Sequence, residues 1–198
     1  MNTEENKINF EQLKVLLCVS GGIAAYKSVE LASSLIAAGT FVKTVMTSSA
    51  GKLVGAKSFE AVTNAPVYTD LWELGVPESI KHISLVEWAD IIVVAPATAN
   101  IIGKFANGIC DDLLSTILCV CWSKPILLAP AMNVEMWNNP SVQRNINILK
   151  TMGCEIVGPG KGRLACGIIA EGRMSEPEEV IEAIGKLLLK VDGKKKTE

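Results

Sequence analysis

The chain reads as a single-domain α/β protein built on a doubly wound parallel sheet. Three observations predict this. Several short runs are apolar throughout, as in LKVLLCV over Leu13–Val19 and IIVVA over Ile91–Ala95, which is the pattern of strands buried on both faces. Segments with apolar residues at helical spacing alternate with these runs. Polar, glycine-bearing turns follow the runs, and ligands of such folds bind beyond the carboxyl ends of the strands.

Leu13–Val19 predicts the first strand, entering the tight turn Ser20-Gly21-Gly22. Helical spacing over Ala24–Ala38 predicts a helix stopped by Gly39. Phe41–Thr47 is the second strand, with a turn at Ser48-Ser49-Ala50, and Ile91–Ala95 the third, closed by Pro96. Thr98–Ala106 is compatible with a helix, and Asp111–Trp122 predicts one with two aspartates at its positive end. Ile126–Ala129 between prolines is a fourth strand, Pro140–Met152 a helix ended by Gly153, and Glu155–Val157 a short fifth strand. Glu176–Leu189 is a terminal helix, with Ser175 as N-cap and Pro177 in its first turn. The organisation predicted is an extension over 1–12, a domain over 13–190 and a tail over 191–198. No internal repeat is present, and Lys194–Lys196 reads as a solvated end.

Composition narrows the function classes. Of 198 residues 49% are hydrophobic and 20% charged, too rich in core-forming types for a disordered chain. Nineteen Lys and Arg against 21 Asp and Glu leave a formal charge of −2, no electrostatic footprint for nucleic acid. The mean hydropathy of +0.32 is high. Even so, the apolar stretches Asp90–Ala99 and Leu113–Trp122 break off before the roughly 20 residues a membrane span needs. Met1–Phe10 is polar and lacks a signal-peptide apolar region, so a soluble cytoplasmic protein is expected. Six cysteines without CxxC spacing and a single histidine offer little to a metal. Cys18, Cys110, Cys119, Cys121 and Cys154 read as core fillers, with Cys166 as the exception.

The turns carry the chemistry. Ser20-Gly21-Gly22-Ile23-Ala24-Ala25 lies between strand and helix, where glycines admit a ligand close to the backbone and helix N–H groups suit a phosphate. It matches neither GxGxxG nor the P-loop. Taken alone it is equally a plain tight turn. Thr47-Ser48-Ser49 and Thr98-Ala99-Asn100 add hydroxyls and an amide at the same sheet edge, so a phosphorylated cofactor is the better reading. A lone His82 is ordinarily structural. Asn133 can bond a carboxylate or cap a turn, and the Gly-rich stretch from Gly162 to Arg173 reads as a mobile flap.

Together, Ser20–Lys27 (SGGIAAYK), His82 ahead of Trp88-Ala89-Asp90, Pro130–Trp137 (PAMNVEMW), and Leu164–Gly167 (LACG) with Arg173-Met174 downstream resemble the homo-oligomeric flavin-dependent cysteine decarboxylases. The likeness runs from Lys14 to Leu189. The PxMNxxMW element is specific to the superfamily, and LACG to its coenzyme A branch. The resemblance implies a Rossmann-like flavoprotein fold and an FMN-dependent carboxy-lyase acting on 4′-phosphopantothenoylcysteine. In that reaction the thiol is oxidised to a thioaldehyde, CO2 leaves to give an enethiol, and reduction yields 4′-phosphopantetheine. It implies an FMN site of Gly22, Ile23, Ala24, Thr47, Ser48, Ser49, Thr98, Ala99, Asn100, Ile101 and Ala131, between subunits of a homotrimer that some members assemble into dodecamers. By the same likeness His82 is the active-site base and Cys166 the proton donor. Asn133 holds the substrate carboxylate, and Arg163, Leu164 and Ala165 line the substrate. No metal, nucleic acid or membrane partner is implied. Ala170-Glu171-Gly172-Arg173 departs from the family's usual flap, where a glycine stands at Ala170. Bacterial relatives are often fused to a ligase, so a free-standing enzyme and a piece of a fusion are both open. The rival readings are a peptidyl-cysteine decarboxylase that stops at the aminoenethiol, a non-catalytic regulatory flavoprotein and a prenylated-flavin synthase.

Overall fold

A computed structural model describes residues 10–72, 81–163, 165 and 167–195. Six parallel strands form the central sheet in the order β3-β2-β1-β4-β5-β6: β1 Lys14–Val19, β2 Phe41–Met46, β3 Val67–Tyr68, β4 Ile91–Ala97, β5 Ile126–Pro130 and β6 Glu155–Ile156. Chain order runs outward from β1 on one side and from β4 on the other. The crevice of such a sheet opens where the winding reverses, between β1 and β4.

All seven residues of β4 and all five of β5 are buried, because helices cover both faces. One face carries Val15, Leu17, Val19, Ile91, Val93 and Leu127 against α1 (Lys27–Ala37), α3 (Ala56–Thr63) and α9 (Pro177–Lys195). The other carries Leu16, Cys18, Ile92, Val94 and Leu128 against α4 (Lys81–Trp88), α5 (Ala99–Ala106), α6 (Leu113–Val120) and α8 (Pro140–Thr151). Each such aliphatic side chain contributes about 1.5–3 kcal/mol by leaving water. Thus the strand runs legible in the sequence form the middle layer of a three-layer sandwich.

Several elements differ from expectation. The first helix begins as a 3-10 turn over Ile23–Tyr26, and α1 proper starts at Lys27. Ser48-Ser49-Ala50 is not an open turn but α2 (Ser48–Gly51), capped by Thr47, whose hydroxyl accepts from the Ala50 N–H. Strand β4 continues through Pro96 to Ala97 with a register shift between Val94 and Ala97. Two hydroxyls serve carbonyls at this shift: Ser28 donates to Ala95 O and Ser20 to Pro96 O, each at 2.7 Å. Helix α6 starts after Asp112, where Asp112 and Ser115 form a reciprocal capping box, and ends at Val120. The short elements α3, β3, α4 and α7 (Val134–Asn138) carried too little periodicity to be expected.

The Gly-rich stretch is a β-hairpin, β7 Gly160–Arg163 against β8 Ile169–Arg173, so its base is ordered structure rather than a free flap. A terminal helix forms as predicted, but its cap is Glu176, not Ser175. The Glu176 N–H donates to the Glu179 carboxylate at 2.8 Å, and Ser175 is buried beneath. Helix α9 also runs to Lys195, so the basic tail begins as helix. Cys18, Cys121 and Cys154 are buried as expected, whereas Cys110 and Cys119 are exposed beside the α5–α6 connection. No helix among the described residues is long and apolar enough to cross a membrane.

A buried ammonium ties α1 to α9. Lys27 Nζ donates to Glu176 Oε2 at 2.8 Å and to the Met174 carbonyl at 3.2 Å. The hydrogen bond from Lys27 is the chief cause holding the Glu176 carboxyl below its usual range. A carboxyl lowered on folding stabilises the fold above its unfolded pKa, and that contribution is lost as pH falls through the lowered folded value. Acid unfolding of the wild type should therefore show a component below about pH 4.3 that is missing in Glu176→Gln, measured by urea midpoints across that range. Burial pushes the Cys121 thiol to about 12 and the Cys154 thiol to about 11. Brief alkylation at neutral pH followed by peptide mapping should label Cys110 and Cys119 and leave Cys18, Cys121 and Cys154 intact until the protein unfolds.

Candidate functional site

The site is assembled by chain reversals at the carboxyl ends of the strands. After β1, Ser20 is buried and its hydroxyl bonds Pro96 O, the Thr98 N–H at 3.1 Å and the Thr98 hydroxyl at 3.0 Å, locking the β1 turn to the β4 turn. Gly21 lies so close to the β2 turn that a Cβ would fall 2.3 Å from Ser49 Cβ, so only glycine fits. Thr98 caps α5 by accepting from the Ile101 N–H, as Thr47 caps α2, and two helix starts thus meet at one edge. From β5, Asn133 caps α7 by accepting from the Glu135 N–H at 2.8 Å. Its neighbour Met132 donates its N–H to the Gly172 carbonyl at 2.9 Å, which fastens this loop to β8.

These turns surround a cleft of about 1040 Å³. Gly22, Ile23 and Ala24 line it from the β1 turn, Thr47, Ser48 and Ser49 from the β2 turn. Thr98, Ala99, Asn100 and Ile101 line it from the β4 turn, and Ala131 and Asn133 from the β5 turn. Arg163 and Ala165 reach it from the hairpin. His82 is not among the lining residues; it sits half-buried in the first turn of α4. Leu164 and Cys166 lie outside the described residues, between β7 and β8 in the chain.

Lys27, Lys104, Asp112 and Arg173 also line the cleft and were not anticipated as site residues. Only Lys27 and Arg173 carried a signal, as members of the SGGIAAYK and Arg173-Met174 motifs. Lys104 Nζ donates to Asp112 Oδ2 at 2.8 Å and pairs with Asp111 as well. Burial alone lowers the Lys104 pKa, but the hydrogen bonds it donates to the two aspartates outweigh this and raise the group above its ordinary value. Burial likewise raises Asp112, and the bonds from Lys104 and Ser115 reverse this, so its carboxyl is held below the usual range. Both stay charged at neutral pH. Among the described residues no cluster of His, Cys, Asp and Glu suits a metal ion.

A strand-end cleft with close backbone approach, two capped helix starts and clustered hydroxyls suits a phosphorylated ligand. The family model described as Flavoprotein matches residues 3–189. The chain is 49% identical over 172 residues to the coenzyme A biosynthesis bifunctional protein CoaBC of Bacillus subtilis, covering 87% of this chain and 42% of that protein. It is 41% identical over 170 residues to CoaBC of Haemophilus influenzae, covering 86% and 42%. The chain thus spans less than half the length of these relatives. Among solved structures it resembles a cysteine-to-serine mutant of PPC decarboxylase complexed with pantothenoylaminoethenethiol, with a TM-score of 0.82 and 34% identity over 91% of this chain and 100% of that one. It resembles the FMN-binding protein AtHal3 with a TM-score of 0.77 and 36% identity, over 88% and 95% of the two chains. The FMN-dependent cysteine decarboxylase SpaF matches with a TM-score of 0.75 and 33% identity over 88% and 99%. By the span of the family model and by these identities, the chain belongs to the flavoprotein family, in its Rossmann-like fold.

Proposed function

We propose that this chain binds FMN in the strand-end cleft and decarboxylates 4′-phosphopantothenoylcysteine to 4′-phosphopantetheine, as a cytoplasmic enzyme of coenzyme A biosynthesis. The observation that carries the reading is the cleft itself: all eleven residues expected at the flavin line it, together with Asn133 and Arg163. Its donor set fits the group. Hydroxyls of Ser48 and Ser49 and the capped starts of α2 and α5 suit the phosphate, Gly21 keeps the wall thin, and Ile23, Ala131 and Met132 offer apolar surface to a flat ring. The volume of about 1040 Å³ lies at the upper end for small-molecule sites and leaves room for a substrate beside the cofactor.

The chemistry FMN supplies when bound is a reversible two-electron sink for the thiol-bearing carbon, which lets the neighbouring carboxylate depart as CO2. The protein's part is positioning and proton transfer. Asn133, fixed by its own cap to α7, holds the carboxylate by a neutral hydrogen bond. Arg163 and Ala165 border the substrate, and Leu164 is assigned the same lining role. The hairpin covers the site and keeps water from the reactive intermediate. Cys166, which follows β7 in the chain, delivers the proton to carbon during the final reduction.

His82 acts from a neighbouring protomer as the base that removes the substrate proton at the oxidation step. A homotrimer, alone or assembled further into a dodecamer, brings its helix to the cleft of the next chain. Two features support this: His82 lies outside the cleft of its own chain, and Ile23 and Tyr26, 65% and 59% exposed, leave an apolar rim for another copy to cover.

Incubating the yellow oligomer with 4′-phosphopantothenoylcysteine should release CO2 and give a saturated thiol by mass spectrometry. A product two hydrogens lighter would instead point to the peptidyl-cysteine type of reaction, and unchanged substrate would end the proposal. Cys166→Ser should still release CO2 but accumulate the unreduced enethiol. His82→Asn should purify yellow, with its flavin spectrum intact, and fail to turn over; a colourless variant would make His82 structural.

A further inference from the structure

The cleft is electrically uneven along its length. At the α5–α6 end Lys104 is outnumbered by its partners Asp111 and Asp112. At the hairpin end stand Lys27, Arg163 and Arg173, and among the described residues Glu176 is the one carboxylate paired with them, leaving two positive charges in excess. Arg173 is held in place. Its Nη2 donates to Glu176 Oε1 at 2.8 Å, while the other oxygen of that carboxylate accepts from Lys27 Nζ, also at 2.8 Å. The Lys27 side chain is 5% exposed, so the bridging carboxylate is pinned from below. The arginine lies across Gly162 of β7, where a Cβ would come 3.0 Å from Cδ and 3.3 Å from Nη1. A glycine there lets the guanidinium cross the strand.

We propose that Arg173, positioned by Glu176 and Lys27 and joined by Arg163, is the specificity-determining contact for the phosphate monoester end of the substrate; this rests on the decarboxylase reading above. That substrate carries two anions, and the site must treat them differently. The carboxylate loses its charge as CO2 departs. A guanidinium on it would stabilise the ground state more than the transition state and slow the step, so the neutral amide of Asn133 suits it better. The phosphate keeps its charge throughout the reaction, and binding it tightly does not oppose the chemistry. A guanidinium presents five N–H donors in a planar fork that matches phosphate oxygens, and Glu176 engages one of its nitrogens. Carboxylate recognition and phosphate recognition are thereby divided between the β5 loop and the hairpin.

The test compares phosphorylated and dephosphorylated ligands on the FMN-loaded oligomer. Calorimetry uses 4′-phosphopantothenate and pantothenate, which lack the cysteine and do not react, and kinetics use the two corresponding cysteine conjugates. Arg173→Gln should reduce the preference for the phosphorylated member of each pair by about tenfold or more, through KM rather than kcat. Arg173→Lys should restore part of it, and carries the test if the Gln variant does not assemble. Glu176→Gln should lower the preference by a smaller factor. An unchanged preference, or equal losses for both members of a pair, overturns the proposal. So does loss of flavin retention with the preference intact, which would give the arginine to the cofactor's own phosphate. A wild type that binds the phosphorylated analogue more tightly but converts neither conjugate would overturn the decarboxylase reading and leave the anion site standing.

Discussion

The site depends on a single buried hydroxyl, that of Ser20. It sits where β1 ends, and it bonds both the last carbonyl region of β4 and the first residue of the β4 turn. Adjacent parallel strands at the reversal point of a doubly wound sheet leave their terminal backbone groups without ladder partners, and burying such groups unpaired costs free energy. Ser20 meets that requirement for β4 while fixing the distance between the two turns. The glycines that follow can then approach the β2 turn because the β1 turn is already held. Cradle geometry is thus set by sheet geometry.

The same logic extends around the cleft. Thr47 and Thr98 cap helices with their side chains, and first-turn residues of both helices line the crevice. Asn133 caps α7, and the Met132–Gly172 hydrogen bond connects that loop to the hairpin. Lys27 and Glu176 join the helix behind the β1 turn to the start of α9. Every wall of the cleft is therefore anchored to the sheet or to a helix packed on it, and rigid support of this kind is what a site needs to hold reacting groups in register.

Much of this was legible in the sequence. Runs such as Ile91–Ala95 and Ile126–Ala129 could only be strands buried on both faces, and their order with the intervening helices already specified where a ligand would bind. The turn residues followed directly. What escaped was of two kinds. Short elements such as α3 and α7 span fewer turns than a periodic signal requires, and Pro96 reads locally as a strand end although Ser20 and Ser28 supply the hydrogen bonds that let β4 pass through it. Cys110 and Cys119 looked like core residues by type, yet Cys110 sits in the connection between α5 and α6 and Cys119 on the exposed side of α6. The polar partners Lys27–Glu176 lie 149 residues apart, and Lys104 meets Asp112 only because two helices pack. Neither pairing follows from local periodicity, the first because of its range and the second because it depends on how α5 and α6 pack.

The Met132–Gly172 hydrogen bond bears on how a ligand enters. Because the β5 loop and β8 share this bond, the hairpin cannot lift as one plate without also dragging the Asn133 loop out of place. A ligand entering beside the hairpin therefore meets two walls held at a fixed spacing, the β5 turn and β8, and must conform to that spacing rather than set it.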